Sequence, residues 1–91
     1  MLVMPARVTH ADADAALRTL LQGLATLEQP ELVVDASALT AFDSSALAVL
    51  LQCRRAALQR QKTFAVRGLH PRLATLASVY GVAELLPAAA T

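Results

Sequence analysis

Apolar positions in this chain follow two rhythms. Short runs of adjacent apolar residues alternate with longer stretches in which leucine and alanine return every three or four positions. The first rhythm predicts strands and the second predicts helices. "LVMPARV" (2–8) reads as a short strand, and Pro5 places it at a sheet edge because it has no N–H for a ladder. "THADADAALRTLLQGLATL" comes next as a helix. Thr9 is its expected N-cap, Asp12 completes an acidic capping box, and Leu17, Leu20, Leu21, Leu24 and Leu27 form its apolar stripe. "ELVVD" (31–35) is a β-branched run, expected as a buried parallel strand. "ASALTAF" reads as a connecting loop. "DSSALAVLLQCRRAALQRQ" (43–61) is the second helix, with Asp43 as N-cap. "TFAVRG" (63–68) is a strand closed by Gly68. "LHPRLATLASVYG" is a third helix, with Pro71 in its first turn and Gly81 as left-handed terminator. "VAELLP" adds a last short strand or turn, and the alanine-rich residues 88–91 are expected to fray.

The order β-α-β-α-β-α implies an α/β fold. The sheet should be small, parallel or mixed, with about four short strands. Three to four helices should pack mainly on one face. The 91 residues are expected to form a single domain (1–91).

Composition narrows the function. The chain is 56% hydrophobic but only 3% aromatic, and 8 basic residues nearly balance 7 acidic ones for a net charge of +1. With neither a basic field nor stacking side chains, nucleic-acid binding is not expected. No apolar run reaches the ~20 residues of a spanning helix, so no direct membrane insertion is expected. "MLVMPARV" lacks the layout of a signal peptide. Cys53 is the single cysteine. It reads as a reduced, buried apolar residue, and with the missing leader it suggests a cytoplasmic protein.

Candidate chemistry is sparse. His10 and His70 sit beside helix starts with no ligand at metal spacing, so no metal is expected. The three glycines are scattered and form no phosphate loop, and no cofactor is expected. Ser44, His70 and Asp35 carry the residue types of a hydrolase triad, but no G-x-S-x-G elbow supports one, and no catalytic residues are assigned. The chain is expected not to be an enzyme.

The remaining candidate is the "DSS" seam of Asp43, Ser44 and Ser45. One reading is structural: Asp43 caps the helix and the serines fill its first turn. The other is a switch, because a helix N-terminus also accommodates phosphate on a serine. Helical geometry adds a surface. At ~100° per residue, Ala46, Leu50, Cys53 and Ala57, flanked by Val49, form the core face. Ser44, Ala48, Leu51 and Arg55 fall opposite, with Leu58 at the border and Gln52 beside them. An apolar centre with a basic rim suits either protein docking or packing beneath a neighbouring element.

The stretch "VVDASALTAFDSSALAVLLQCRRAALQRQKTFAVRGLHPRLATLASVYGV" resembles the STAS domain family. In that family a strand ends in Asp, a short loop leads to a D-[ST]-[ST]-G-L motif, here D-S-S-A-L, and a long helix, a strand and a helix come after it. The likeness is close over residues 31–87 and looser over the N-terminal third. "LASVYGVAELLP" (76–87) is similar to the ending of the MlaB branch, the small STAS subunits of phospholipid-transport ABC systems in Gram-negative envelopes. That resemblance implies a partner: the ATPase subunit of an ABC transporter, with its permease in the full complex. The chain would then be held at the inner membrane through that partner. The other branch, the anti-sigma factor antagonists, implies an anti-sigma kinase that phosphorylates the serine. On either branch Ser44 takes the place of the switch or contact hydroxyl and Asp43 the preceding acid, with Ser45 the second small residue. Ala48, Leu51, Gln52 and Arg55 complete the expected partner face. Ala46 stands where the family motif has glycine, a change expected to hinder close approach of a partner to the backbone.

Overall fold

In the computed structural model, which describes residues 1–89, the chain runs β1 (Leu2–Val3), β2 (Arg7–Val8), α1 (Ala13–Ala25), β3 (Glu31–Asp35), β4 (Ala41–Phe42), α2 (Ser45–Gln59), β5 (Thr63–Arg67) and α3 (Pro71–Val79), and then a 3-10 turn at Ala83–Leu85. The three main strands form a parallel sheet in the order β1-β3-β5. Parallel neighbours need crossovers, and α1 and α2 supply them. The α/β class and the three helices therefore stand as the sequence predicts.

Two strand assignments need correction. Residues 2–8 are not one strand. Pro5, with no N–H to give, interrupts them, and the second piece, β2, leaves the main sheet to pair in parallel with β4. The expected loop "ASALTAF" therefore contains a strand: Arg7 stands opposite Ala41, and Val8 opposite Phe42. A two-residue strand carries no periodicity, so the pattern alone could not show it.

The sheet buries one face well. Leu32 and Val34 of β3 and Phe64 and Val66 of β5 join one core with Leu20 and Leu24 of α1, Leu50 and Cys53 of α2, and Leu73 and Ala77 of α3. Full burial of each leucine or valine stabilises the fold by about 1.5–3 kcal/mol. The alternate positions of β3 (Glu31, Val33, Asp35) are exposed or half-buried, so β3 is not covered on both sides as its apolar run suggests.

Helix ends explain the boundaries. Both α2 and α3 close in a Schellman arrangement. In α3 the Gly81 N–H donates to the Ser78 carbonyl and the Val82 N–H to the Ala77 carbonyl, with Gly81 at φ 73°. In α2 the Gln61 and Lys62 N–H groups donate to the Leu58 and Ala57 carbonyls, and Gln61 holds φ 61°. A side chain there costs about 1 kcal/mol against glycine. Helix α1 begins at Ala13, later than Thr9 predicts. Thr9 and Asp12 still form half of a capping box, because the Asp12 carboxylate accepts from the Thr9 N–H at 3.1 Å and its hydroxyl at 2.7 Å.

The expected fraying from residue 88 is not seen at Ala88 and Ala89. Ala88 bridges Val66, the Val66 N–H donates to the Pro87 carbonyl, and the Ala89 N–H donates to the Val66 carbonyl. This covers part of the outer edge of β5. Residues 90 and 91 lie outside the described residues.

Candidate functional site

The seam lies where β4 runs into α2. Asp43 organises it. One carboxylate oxygen accepts from the Ser45 N–H at 2.8 Å, satisfying an orphan donor of the first turn. The other accepts from the His10 N–H at 2.9 Å. These two backbone bonds, Ser45 first, hold the Asp43 carboxyl below the usual carboxylate range. Ser44 precedes the first residue of α2 but already holds helical angles, φ −62° and ψ −15°, and Asp43 supplies the side-chain bond that caps the helix start.

Ser44 is exposed, and its side chain makes no capping bond. Ser45 is half-buried in the first turn. The serine hydroxyl at position 44 thus faces solvent beside a carboxylate whose oxygens are both engaged by backbone.

The buried and exposed sides of α2 fall where the helical spacing predicts. Ala48, Gln52 and Arg55 are exposed, whereas Ala46, Val49, Leu50, Cys53 and Ala57 are buried. Leu51 is an exception in part: it is half-buried and packs against the core. Leu58 is 48% exposed and continues the face toward the helix end. Ala46, which stands at the position of the family's glycine, is wholly buried, with its methyl in the core.

One cluster was not legible in the sequence. The Phe42 ring, next to Asp43, stacks at a tilt on His70, with centroids 5.2 Å apart, and the Arg72 guanidinium lies 5.3 Å from its centre. His70 caps α3: its Nδ1 accepts from the Arg72 N–H at 3.0 Å. The start of α3 is thereby brought against the residue that leads into α2. Only the pairing of β2 with β4 sets Phe42 in place, and that pairing left no pattern.

The residue types of a triad are not brought together as one. Asp35 accepts from the Ser37 hydroxyl at 2.6 Å and N–H at 2.9 Å. Those bonds, with the Arg67 charge, lower its pKa. Among the described residues no hydrogen bond joins any two of Ser44, His70 and Asp35, and no group of His, Cys, Asp or Glu is placed to hold a metal. Burial pushes the Cys53 thiol up to about 11, so it is protonated at neutral pH. No helix among the described residues is long and apolar enough to cross a membrane.

Residues 4–87 match the family described as Mlab, STAS domain. The chain belongs to that STAS family. Curated proteins give no match. A solved structure described as an anti-sigma-factor antagonist (STAS) domain protein from Planctomyces limnophilus superposes with a TM-score of 0.78. It is 21% identical, and the match covers 98% of this chain and 80% of that one. At that identity the likeness speaks for the fold alone. STAS domains are in general regulatory or binding modules.

Proposed function

We propose that this chain is a non-enzymatic subunit that binds and regulates the cytosolic ATPase of an ABC transporter moving phospholipid between the membranes of a Gram-negative envelope. The observation that carries this reading is the match of residues 4–87 to the MlaB-type STAS family. The chain would be peripheral to the inner membrane on its cytoplasmic side, held there by its partner.

The docking face is the exposed side of α2. Ser44 opens it, Ala48 and the outer part of Leu51 give apolar area, and Gln52 and Arg55 give polar and cationic contacts. Rim charge of this kind sets orientation and on-rate, while the apolar centre excludes water. Binding regulates by preferring one state of the ATPase, and it shifts that equilibrium only as far as the two affinities differ. Affinity purification of the tagged chain from its own cells, with mass spectrometry of the co-purifying proteins, tests the reading. An ATPase with its permease is the expected result. A histidine-kinase-like anti-sigma factor in their place overturns it.

A second reading has its own support. The Ser44 hydroxyl is exposed and uncommitted to a cap, as a phosphoacceptor must be. In an anti-sigma factor antagonist its phosphorylation adds about −2 of charge and repels the kinase. Beside Asp43 that charge meets a carboxylate already seated at the helix start. Incubation with a cognate kinase and then intact-mass measurement separates the two readings, since this one requires a phosphate on Ser44.

A further inference from the structure

A groove of about 500 Å³ runs between α2 and the 3-10 turn, lined by Leu51, Arg54, Arg55, Leu58, Gln59 and Leu85. Leu51, Arg54, Arg55 and Leu58 stand at i, i+3, i+4 and i+7, so they share one face of the helix. That stripe is distinct from the one that fills the core through Ala46, Leu50, Cys53 and Ala57. Its floor is apolar and its charge is of one sign. Helix α2 contains no acidic residue, and no acidic side chain lines the groove. The one ion pair among the described residues, Arg7 with Asp12, lies elsewhere, so Arg54 and Arg55 have no carboxylate partner among those residues.

From this charge pattern we infer that the groove receives an acidic amphipathic helix of a protein partner. Its apolar side chains would seat on Leu51, Leu58 and Leu85, and its carboxylates would lie over Arg54 and Arg55. Leucines at helical spacing match the floor, and carboxylates match guanidinium geometry. The inference rests on the proposed docking of α2 only for the identity of the partner, since Leu51 and Arg55 belong to both surfaces.

The test uses the isolated chain and two synthetic helix-forming peptides. Both carry leucine at i, i+3, i+4 and i+7; one has glutamate at the remaining positions and the other lysine. Methyl-resolved NMR titration should show the glutamate peptide shifting Leu51, Leu58 and Leu85, and the lysine peptide at least about tenfold weaker. The double variant Arg54→Glu/Arg55→Glu should invert that preference, and Leu58→Asp should weaken both peptides. Equal affinity for the two peptides overturns the inference. So do shifts centred on a second groove, beside β1 and lined by Val3 and Thr19, or binding of phosphatidylglycerol vesicles with none of the peptide. No ATPase is present in this assay. A chain that takes the glutamate peptide but captures no ATPase keeps the groove and loses the transporter, and the reverse result does the opposite.

Discussion

Asp43 fastens the start of α2 to His10, 33 residues earlier in the chain: its carboxylate accepts from the His10 N–H at 2.9 Å while its other oxygen holds the Ser45 N–H. The same side chain thus fixes the helix that carries Ser44 and anchors the turn leading into α1. Its first role is structural, and the exposure of Ser44 is a consequence, because the serine is released from capping.

That arrangement gives stability a definite pH dependence. Asp12, Asp35 and Asp43 all have folded pKa values below the ordinary aspartate value of 3.8, because each carboxylate accepts hydrogen bonds that favour its charged form. A depressed carboxyl contributes stability above its unfolded pKa and loses it as pH falls through the folded one. Thermal melting should therefore be nearly flat from pH 7 to 5 with respect to these groups and decline below about pH 4. Asp43→Ala should melt lower than the parent at pH 7, and the gap should narrow as the solution is acidified into that window. A gap that stays constant through it contradicts the assignment.

Gln61 is held at φ 61° by the Schellman closure of α2, with its N–H bonded to Leu58. Gln61→Gly should raise stability by about 0.5–1 kcal/mol in urea unfolding, because relief of the left-handed strain outweighs the added freedom of the unfolded chain. Gly68→Ala should do the opposite and cost more than about 1 kcal/mol. Its φ is 69°, and a Cβ there would stand 2.7 Å from that of Ser37.

Cys53 should behave as core rather than as a reactive thiol. At 1% exposure, with its pKa pushed up to about 11 by burial, it should resist a disulfide reagent at pH 8 until the chain is unfolded. A buried acid with a raised pKa stabilises below its unfolded value, so this contribution fades as pH climbs above the ordinary thiol value of 9.0. Cys53→Ser should cost about 1–3 kcal/mol by burying a hydroxyl among apolar neighbours. Prompt labelling of the native chain would contradict this.

Much of this fold was legible in the sequence, for identifiable reasons. The leucine spacing of α1 and the β-branched run of β3 are patterns of packing, and packing is what periodicity records. His70 and Pro71 at the start of α3 and Gly81 after its end are local chemistry, so that helix was bounded closely. The β2–β4 pair was not legible, because two-residue strands joined across more than thirty positions leave no local trace. With it went the placement of Phe42 against His70 and Arg72. The seam was located because D-S-S is a helix start, but only the structure divides its labour, with Asp43 bound to backbone on both sides and Ser44 left free. The opposed faces of α2 came from 100° steps. The partial burial of Leu51 did not, since it depends on what packs beside the helix.

Because Leu51 is half-buried, it is a poor probe of the proposed docking face. Leu51→Asp places a charge against the core and should cost about 1–3 kcal/mol of fold stability, so loss of binding there mixes two causes. Ala48 is exposed. Ala48→Glu should change stability by no more than about 0.5 kcal/mol, which a melting curve checks.

Docking of α2 on a transporter ATPase, through the face opened by Ser44, is tested most directly by affinity purification. The tagged chain is compared as wild type, Ser44→Glu, Ala48→Glu and, as a control on α3, the exposed Val79→Glu. Wild type and Val79→Glu should recover the ATPase and permease in equal yield. Ser44→Glu and Ala48→Glu should lose at least about tenfold, or 1.4 kcal/mol, at unchanged melting temperature. Recovery of the same ATPase at equal yield by all four chains would contradict the proposed docking face, and recovery of none by wild type would contradict the proposed function itself.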